Sequence, residues 1–361
     1  MKIGIVGMPN AGKSSLFNAL TKSGAEAANY PFTTIEPNVA VVPVEDDRLR
    51  RIAEQMGASE IVYDHIDFHD IAGLVAGAHK GEGLGNKFLA NIRETDAIVH
   101  VVRAHDDANI IHPDGAVDPL RDIQTIETEL LMADLEQAER RRERVQKQAR
   151  GGDAEAKAEL AWLDELIPAL NDGKPARTVP APEDHPQVVK ILQPLTAKPV
   201  LFVANVDEND ATGAVPAVVA EHAAEMGAVA VAISSRLEAE LAEMDDEEAA
   251  ALREEMGYAE SGLQRIARGA FELLDLITFF TVGSGVRGQS WHLRRGLTVW
   301  HAAGEIHSDI QQGFVRADVV GWEELLAAGG YSQARDKGTL RTEGRDYVMQ
   351  DGDVITVKHT N

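Results

Sequence analysis

Apolar residues in the first 120 positions come in short runs separated by stretches of helical spacing. Residues 2–6 form a compact apolar run, 13–21 have helical character, and 39–44 and 64–69 are further strand candidates, the second alternating polar with apolar. Residues 97–102 are continuously apolar, as a buried parallel strand should be, and two similar runs follow much later, at 199–204 and 228–233. Strands alternating with helices predict an α/β fold with a doubly wound sheet.

A different texture separates the two strand groups. Residues 121–150 are rich in Glu, Arg, Gln, Leu and Ala, without glycine or proline, and Gly151-Gly152 ends them. Asp153 then caps a second helical stretch reaching about residue 170, which predicts an antiparallel hairpin of helices. The segment 174–186 carries four prolines and reads as a loop. After a helix over 261–274, residues 278–361 show short alternating runs (297–301, 315–320, 347–350, 354–358) with frequent glycine, the pattern of a small mixed α/β domain. The expected organisation is a discontinuous α/β domain (1–120 and 199–277), a helical insertion (121–198) and a C-terminal domain (278–361).

Gly7 to Ser14 reads GMPNAGKS, which fits G-x-x-x-x-G-K-[ST] between a strand and a helix. Gly7 and Gly12 let the backbone wrap around phosphate oxygens, and the loop N–H groups and the helix N-terminus supply positive potential. The predicted cradle is Gly7, Met8, Pro9, Asn10, Ala11 and Gly12, with Lys13 on the β- and γ-phosphates, Ser14 on Mg²⁺, and Ser15. Asp70 to Gly73, DIAG, places a carboxylate for the Mg²⁺ shell and a Gly73 N–H for the γ-phosphate. Thr34, in PFTTIEPN, is placed to sense Mg²⁺ and γ-phosphate.

Guanine-specific members of this class carry N-K-x-D after a later strand, and its Asp accepts from guanine N1–H and N2–H₂. Here the chain has Asn205-Val206-Asp207-Glu208. Val206 replaces the Lys that packs on the base, and Glu208, one methylene longer, replaces the Asp. A displaced carboxylate removes the donor-pair test that selects guanine, so adenine is no longer penalised. Ser234, Ser235 and Arg236 are expected to close the base pocket from the far side.

These segments, with GMPNAGKSSLFNALT, DIAGLVAGAHKGEGLGNKFLANIRETDAI, NVDE and GEIHSDIQQGFVRA, closely resemble the YchF family, also called Obg-like ATPases. The resemblance implies a P-loop G domain, a coiled-coil-like helical insertion and a C-terminal TGS domain of β-grasp type. It implies ATP as ligand, Mg²⁺-dependent hydrolysis and ribosome association. Many GTPases orient the attacking water with a Gln after the DxxG. Here Leu74 stands there, as in the group to which the family belongs, so intrinsic hydrolysis is expected to be slow. Three sources of water orientation or charge remain open: His112 in NIIHPDG, His79, and a K⁺ ion with Asn10 as a ligand. The predicted catalytic set is therefore Lys13, Gly73 and His112.

Composition narrows the remaining classes. With 35 basic and 59 acidic residues the formal charge is −24, so nucleic-acid contact must come from local basic patches. One candidate is 140–150, with Arg140, Arg141, Arg142, Arg144, Lys147 and Arg150; another is 287–295, with Arg287, Arg294 and Arg295. Each is also readable as a solvated face, but the resemblance favours the first as a ribosomal RNA contact. The absence of cysteine excludes disulfides, iron–sulfur clusters and a thiol switch. No run approaches membrane-spanning length, so a cytoplasmic protein without membrane contact, and a monomer, is expected. The output is either ATP turnover or an ATP-gated binding module; a guanine-reading Obg-type GTPase is the remaining alternative.

Overall fold

The computed structural model describes residues 1–26, 38–71, 84–107, 109–113, 115–210, 213–257 and 260–360. Its strands are β1 (Lys2–Val6), β2 (Val39–Pro43), β3 (Glu60–Val62), β4 (His65–Asp70), β5 (Ala97–Arg103), β6 (Val200–Asn205), β7 (Val229–Ile233), β8 (Leu276–Thr281), β9 (Arg287–Arg294), β10 (Phe314–Gly321), β11 (Arg341–Glu343) and β12 (Asp353–His359). Its helices are α1 (Lys13–Glu26), α2 (Asp47–Met56), α3 (Leu84–Arg93), α4 (Pro119–Arg150), α5 (Ala154–Asn171), α6 (Gln187–Leu192), α7 (Ala217–Glu225), α8 (Ser235–Leu241), α9 (Asp246–Glu255), α10 (Gly262–Leu273), α11 (Val299–Ile306), α12 (Ser308–Gln312), α13 (Trp322–Ala328) and α14 (Tyr331–Asp336).

The chain divides into two compact units. The first contains residues 1–25, 35–41 and 67–269, the second 26–34, 42–66 and 270–361. The first is built on a six-stranded sheet of order β2-β4-β1-β5-β6-β7. β1 runs parallel to β4 and β5, and β6 lies parallel between β5 and β7. β5 and β6 are buried along their whole length, which explains why their sequences are apolar rather than alternating, apart from His100 and the polar last residues Arg103 and Asn205. Val6, Ile98, Val102, Phe202 and Ala204 join Ile92, Ile123 and Ile126 from α3 and α4 in the core.

α4 and α5 form the hairpin expected at the Gly151-Gly152 break. Asp153 caps α5, its carboxylate accepting from the N–H groups of Glu155 and Ala156. The hairpin has its own core: Ala138 and Val145 of α4 meet Trp162, Leu163, Leu166 and Leu170 of α5, closed by Val188 and Leu192 of α6. Asp134 fastens α4 to the strand side. Its buried carboxylate accepts from the N–H groups of Leu195 and Thr196 at 2.7 and 2.8 Å and from the Thr196 hydroxyl at 2.7 Å.

The second unit holds a mixed six-stranded sheet of order β11-β10-β12-β8-β9-β3. β10 is antiparallel to β11 and β12, β8 is antiparallel to β9, and β12/β8 and β3/β9 are parallel pairs. Both faces are covered. Ile277 and Phe279 of β8 pack with Leu293, Val299 and Ile355 in one cluster, and Phe280 packs with Leu49, Ile52 and Leu325 in another. The apolar run 297–301 opens helix α11, with Thr298 and His301 forming a reciprocal cap, and the run 347–350 contributes one isolated bridge, Thr298 to Val348. Among the described residues, no helix is long and apolar enough to cross a membrane.

Candidate nucleotide site

β1 ends at Val6, and α1 begins seven residues later at Lys13. The connecting loop has positive φ at Gly7 (154°), Asn10 (63°) and Gly12 (103°). Two of these positions are also sterically closed to any side chain. A Cβ on Gly7 would lie 2.4 Å from the Val101 carbonyl oxygen, and one on Gly12 would lie 2.3 Å from Asn205 Nδ2.

The second contact joins the two predicted motifs. Buried Asn205 donates from Nδ2 to the Ala11 carbonyl at 3.0 Å and accepts at Oδ1 from the Ser235 N–H at 2.9 Å. One amide therefore ties the phosphate loop to the start of α8. Ser234 caps that helix, its hydroxyl accepting from the Leu237 N–H. The Ser235 hydroxyl is buried without a hydrogen-bond partner among the described residues.

Lys13 is 8% exposed and donates from Nζ to the Met8 carbonyl at 2.8 Å. Burial drives its pKa down from 10.5 to about 8, although the Asp70 charge acts in the opposite direction. Burial likewise raises Asp70, with Lys13 opposing. The ammonium and carboxylate thus act on each other through their charges at the end of the loop. The Asp70 carboxylate makes no hydrogen bond among the described residues, and the Ser14 hydroxyl is exposed at the first turn of α1. Two hard oxygen donors beside a phosphate cradle fit Mg²⁺. Thr34 and Gly73, with Leu74 and His79, lie outside the described residues.

The base-reading positions are built differently. Val206 is 5% exposed and packs in the core, so its side chain is not a platform for a base. Glu208 is half-buried on the short turn Glu208–Asp210, 3.8 Å from Arg236 Nε. Arg236, 72% exposed in its side chain, also pairs with Glu240 at 3.1 Å.

A third segment reaches the site, and the sequence reading assigned it only one residue. Arg103, closing β5, is 2% exposed and donates to the carbonyls of His105, Asp107 and Ile110 at 3.0, 3.3 and 3.0 Å. His105 Nδ1 lies 2.9 Å from the Asn205 carbonyl, so that nitrogen carries the proton. The Ile111 carbonyl accepts from Asn10 Nδ2 at 3.0 Å. The available signal was an arginine ending a run that is apolar apart from His100, where a buried guanidinium must find carbonyl partners. His112 is 7% exposed and hydrogen-bonded through Nε2 to buried Asp122 of α4 at 2.9 Å. It does not join Lys13 and Asp70 in this arrangement.

The predicted basic stretches are partly neutralised. Arg141 makes a two-pronged contact with Glu159 at 2.6 and 2.8 Å, Arg142 meets Asp164 at 2.5 Å, and Arg140 meets Glu136 at 3.3 Å. Arg144, Lys147 and Arg150 are exposed and make no ion pair among the described residues. In the second stretch Arg287 pairs with Glu60 and Arg295 with Asp275, which leaves Arg294.

A glycine-bearing loop between a central parallel strand and a helix, a lysine at the helix start and a carboxylate at the end of the neighbouring strand define a P-loop nucleotide hydrolase with the GTPase G-domain fold. Comparison with known proteins agrees. A family model described as "50S ribosome-binding GTPase" matches residues 2–140, and the model YchF-GTPase_C, described as a "protein of unknown function", matches residues 276–360. A protein of Haemophilus influenzae named "Ribosome-binding ATPase YchF" is 49% identical over 98% of this chain and 98% of its own length. A Bacillus subtilis protein of the same name is 47% identical over 98% and 97%. The solved structure of the Schizosaccharomyces pombe YchF GTPase is 36% identical, covers 99% of this chain and 97% of that one, and superposes with a TM-score of 0.86. A GTP-binding protein from Pyrococcus horikoshii shares the fold at a TM-score of 0.61 and 21% identity, each chain fully covered. The chain belongs to the YchF family.

Proposed function

We propose that this protein binds ATP with Mg²⁺, hydrolyses it slowly, and associates with ribosomes in a manner set by its ATP state. The observation that carries the choice of base is the pairing of Glu208 with Arg236. A guanine-reading carboxylate must accept from N1–H and N2–H₂, whereas this one faces an arginine and lacks a neighbouring lysine stem. The names of the Haemophilus influenzae and Bacillus subtilis relatives support the same choice.

In this reading the loop N–H groups from Gly7 to Gly12 hold the phosphates. Lys13 leaves the Met8 carbonyl for the β- and γ-phosphate oxygens. Ser14, Asp70 and Thr34 would hold Mg²⁺, which when bound neutralises charge between those phosphates. Asn205 keeps the loop in its binding form. Asn10 keeps its amide oxygen for a K⁺ ion while its N–H₂ group is held by Ile111. Water orientation by His112 requires its bond to Asp122 to break, which is consistent with slow intrinsic turnover. Residues 121–198 serve as the helical insertion and 278–361 as a TGS domain. Arg144, Lys147 and Arg150, the unpaired cations at the hairpin end, are the ribosomal RNA contact. The protein acts as a cytoplasmic monomer.

Titration with ATP and GTP analogues under Mg²⁺ and K⁺ tests this. ATP is expected to bind at least about tenfold tighter, a difference near 1.4 kcal/mol. Equal affinity, or a preference for GTP, overturns the assignment of base.

A further inference from the structure

The first unit contains a cavity of about 460 Å³ that the nucleotide site does not use. This lies within the range of roughly 300–1,000 Å³ typical of small-molecule pockets. Its floor is the central sheet, with His100 of β5 and Phe202 of β6. Glu127 and Thr128 of α4, His222 of α7 and Arg177 of the segment after α5 complete it. Val6, the residue before Gly7, is also in the wall, so the cavity and the phosphate loop share a strand.

Most of the lining is apolar. The His100 ring lies 5.5 Å from Phe202, and Phe202 meets His222 edge-on at 5.6 Å. Burial, with smaller contributions from His222 and Lys13, pushes the His100 pKa down to about 3, so the His100 ring carries no charge near neutral pH. The polar groups are unequally satisfied. Glu127 already has a partner in His222 Nε2 at 2.9 Å. Arg177 is anchored by its Nε to the Thr196 carbonyl at 2.9 Å, but its two terminal nitrogens make no hydrogen bond among the described residues. Burial lowers the Arg177 pKa, and the Glu127 charge only partly opposes this. A guanidinium held in place with its bidentate edge unused is a receptor for a planar two-oxygen anion. The apolar walls and the nearby Glu127 favour a single negative charge on an apolar body over a phosphate.

We propose that this cavity binds a small apolar monocarboxylate, its ring or branched chain against Phe202 and His100 and its carboxylate on the terminal nitrogens of Arg177. The site does not depend on the ATP reading, since none of its lining residues is among those proposed to hold the nucleotide.

Calorimetric titration of the full chain with 4-phenylbutyrate tests the proposal, with 4-phenyl-1-butanol as the neutral counterpart. Saturable one-to-one binding of the acid is expected, with the alcohol about tenfold weaker. Arg177→Met should weaken the acid to the level of the alcohol and leave the alcohol unchanged. Thr128→Trp, on an exposed helical position at the cavity mouth, should weaken both at least about tenfold without changing the melting temperature. Absence of saturable binding at millimolar acid overturns the site. So does equal affinity of wild type and Thr128→Trp. Equal affinity for acid and alcohol in the wild type overturns the role of Arg177.

Discussion

The two ends of the nucleotide site are built from different materials. The phosphate end is backbone and buried side chains: strained loop geometry at Gly7 and Gly12, Lys13 at 8% exposure, and Asn205 at 5%. The proposed base end is Glu208 and Arg236 on short surface elements, the arginine side chain 72% exposed. A change at the phosphate end leaves desolvated groups unpaired, which costs about 1–3 kcal/mol each. A change at the base end meets water. A family can therefore alter which base it reads without rebuilding how it holds phosphate.

The strongest way to break this comparison is Lys13→Met. It removes charged hydrogen bonds to two phosphates, each worth about 1.5–3 kcal/mol, so ATP affinity should fall by at least about 100-fold in an equilibrium titration. The melting temperature of the nucleotide-free protein should not fall, because a buried cation has been removed. Asn205→Ala comes next. It strands the Ala11 carbonyl and the Ser235 N–H, and a loss of about 2–4 kcal/mol is expected by chemical denaturation, together with weaker ATP binding.

A smaller effect is titratable. In the free protein Lys13 is a cation only below about pH 8, whereas bound phosphate favours the cation. ATP affinity should therefore hold up to pH 8 and fall about tenfold per unit above it. The stability of the nucleotide-free protein should change in the opposite sense. Between about 8 and the unfolded value of 10.5 the unfolded chain binds more protons than the folded one, so this group's contribution to stability rises with pH. The smallest expected effect sharpens the contrast. Glu208→Ala breaks a partly exposed ion pair, and should move stability by under about 1 kcal/mol and ATP affinity by under about threefold.

The contrast also governs what could be read from the sequence. The phosphate loop was legible because its glycines and lysine are dictated by geometry that any such site shares. The parallel strands β1, β5 and β6 were legible because near-complete burial writes itself as apolar runs, and β7 because its five residues are apolar although only the last two are buried. β3, β8, β9 and β11 were not assigned. The three residues of β3 are too short to show a period, and β8, with Phe279 and Phe280 on opposite faces, is covered on both sides and shows no alternation. The remainder rests on contacts that leave no periodic pattern, even where the partners are within ten residues of each other. Nothing near Arg103 in sequence announces that it holds the loop whose Ile111 carbonyl meets Asn10. Nothing near His112 announces Asp122 as its partner. The basic stretch 140–150 looked stronger than it is, because Glu159 and Asp164, which neutralise part of it, belong to the next helix.

The length of α4 has a mechanical consequence. Its 32 residues rise about 48 Å as one rod. Its first turn holds Asp122, the partner of His112, and its last residue is Arg150. A pivot of about 5° at the first turn would displace the far end by about 4 Å and Asp134, part-way along, by about 1.6 Å, so the three hydrogen bonds Asp134 makes with Leu195 and Thr196 resist it. Movement at the phosphate-loop end of α4 thus reaches the hairpin end only when the Asp134 bonds to Leu195 and Thr196 are remade as well, which makes that carboxylate the fulcrum of the rod.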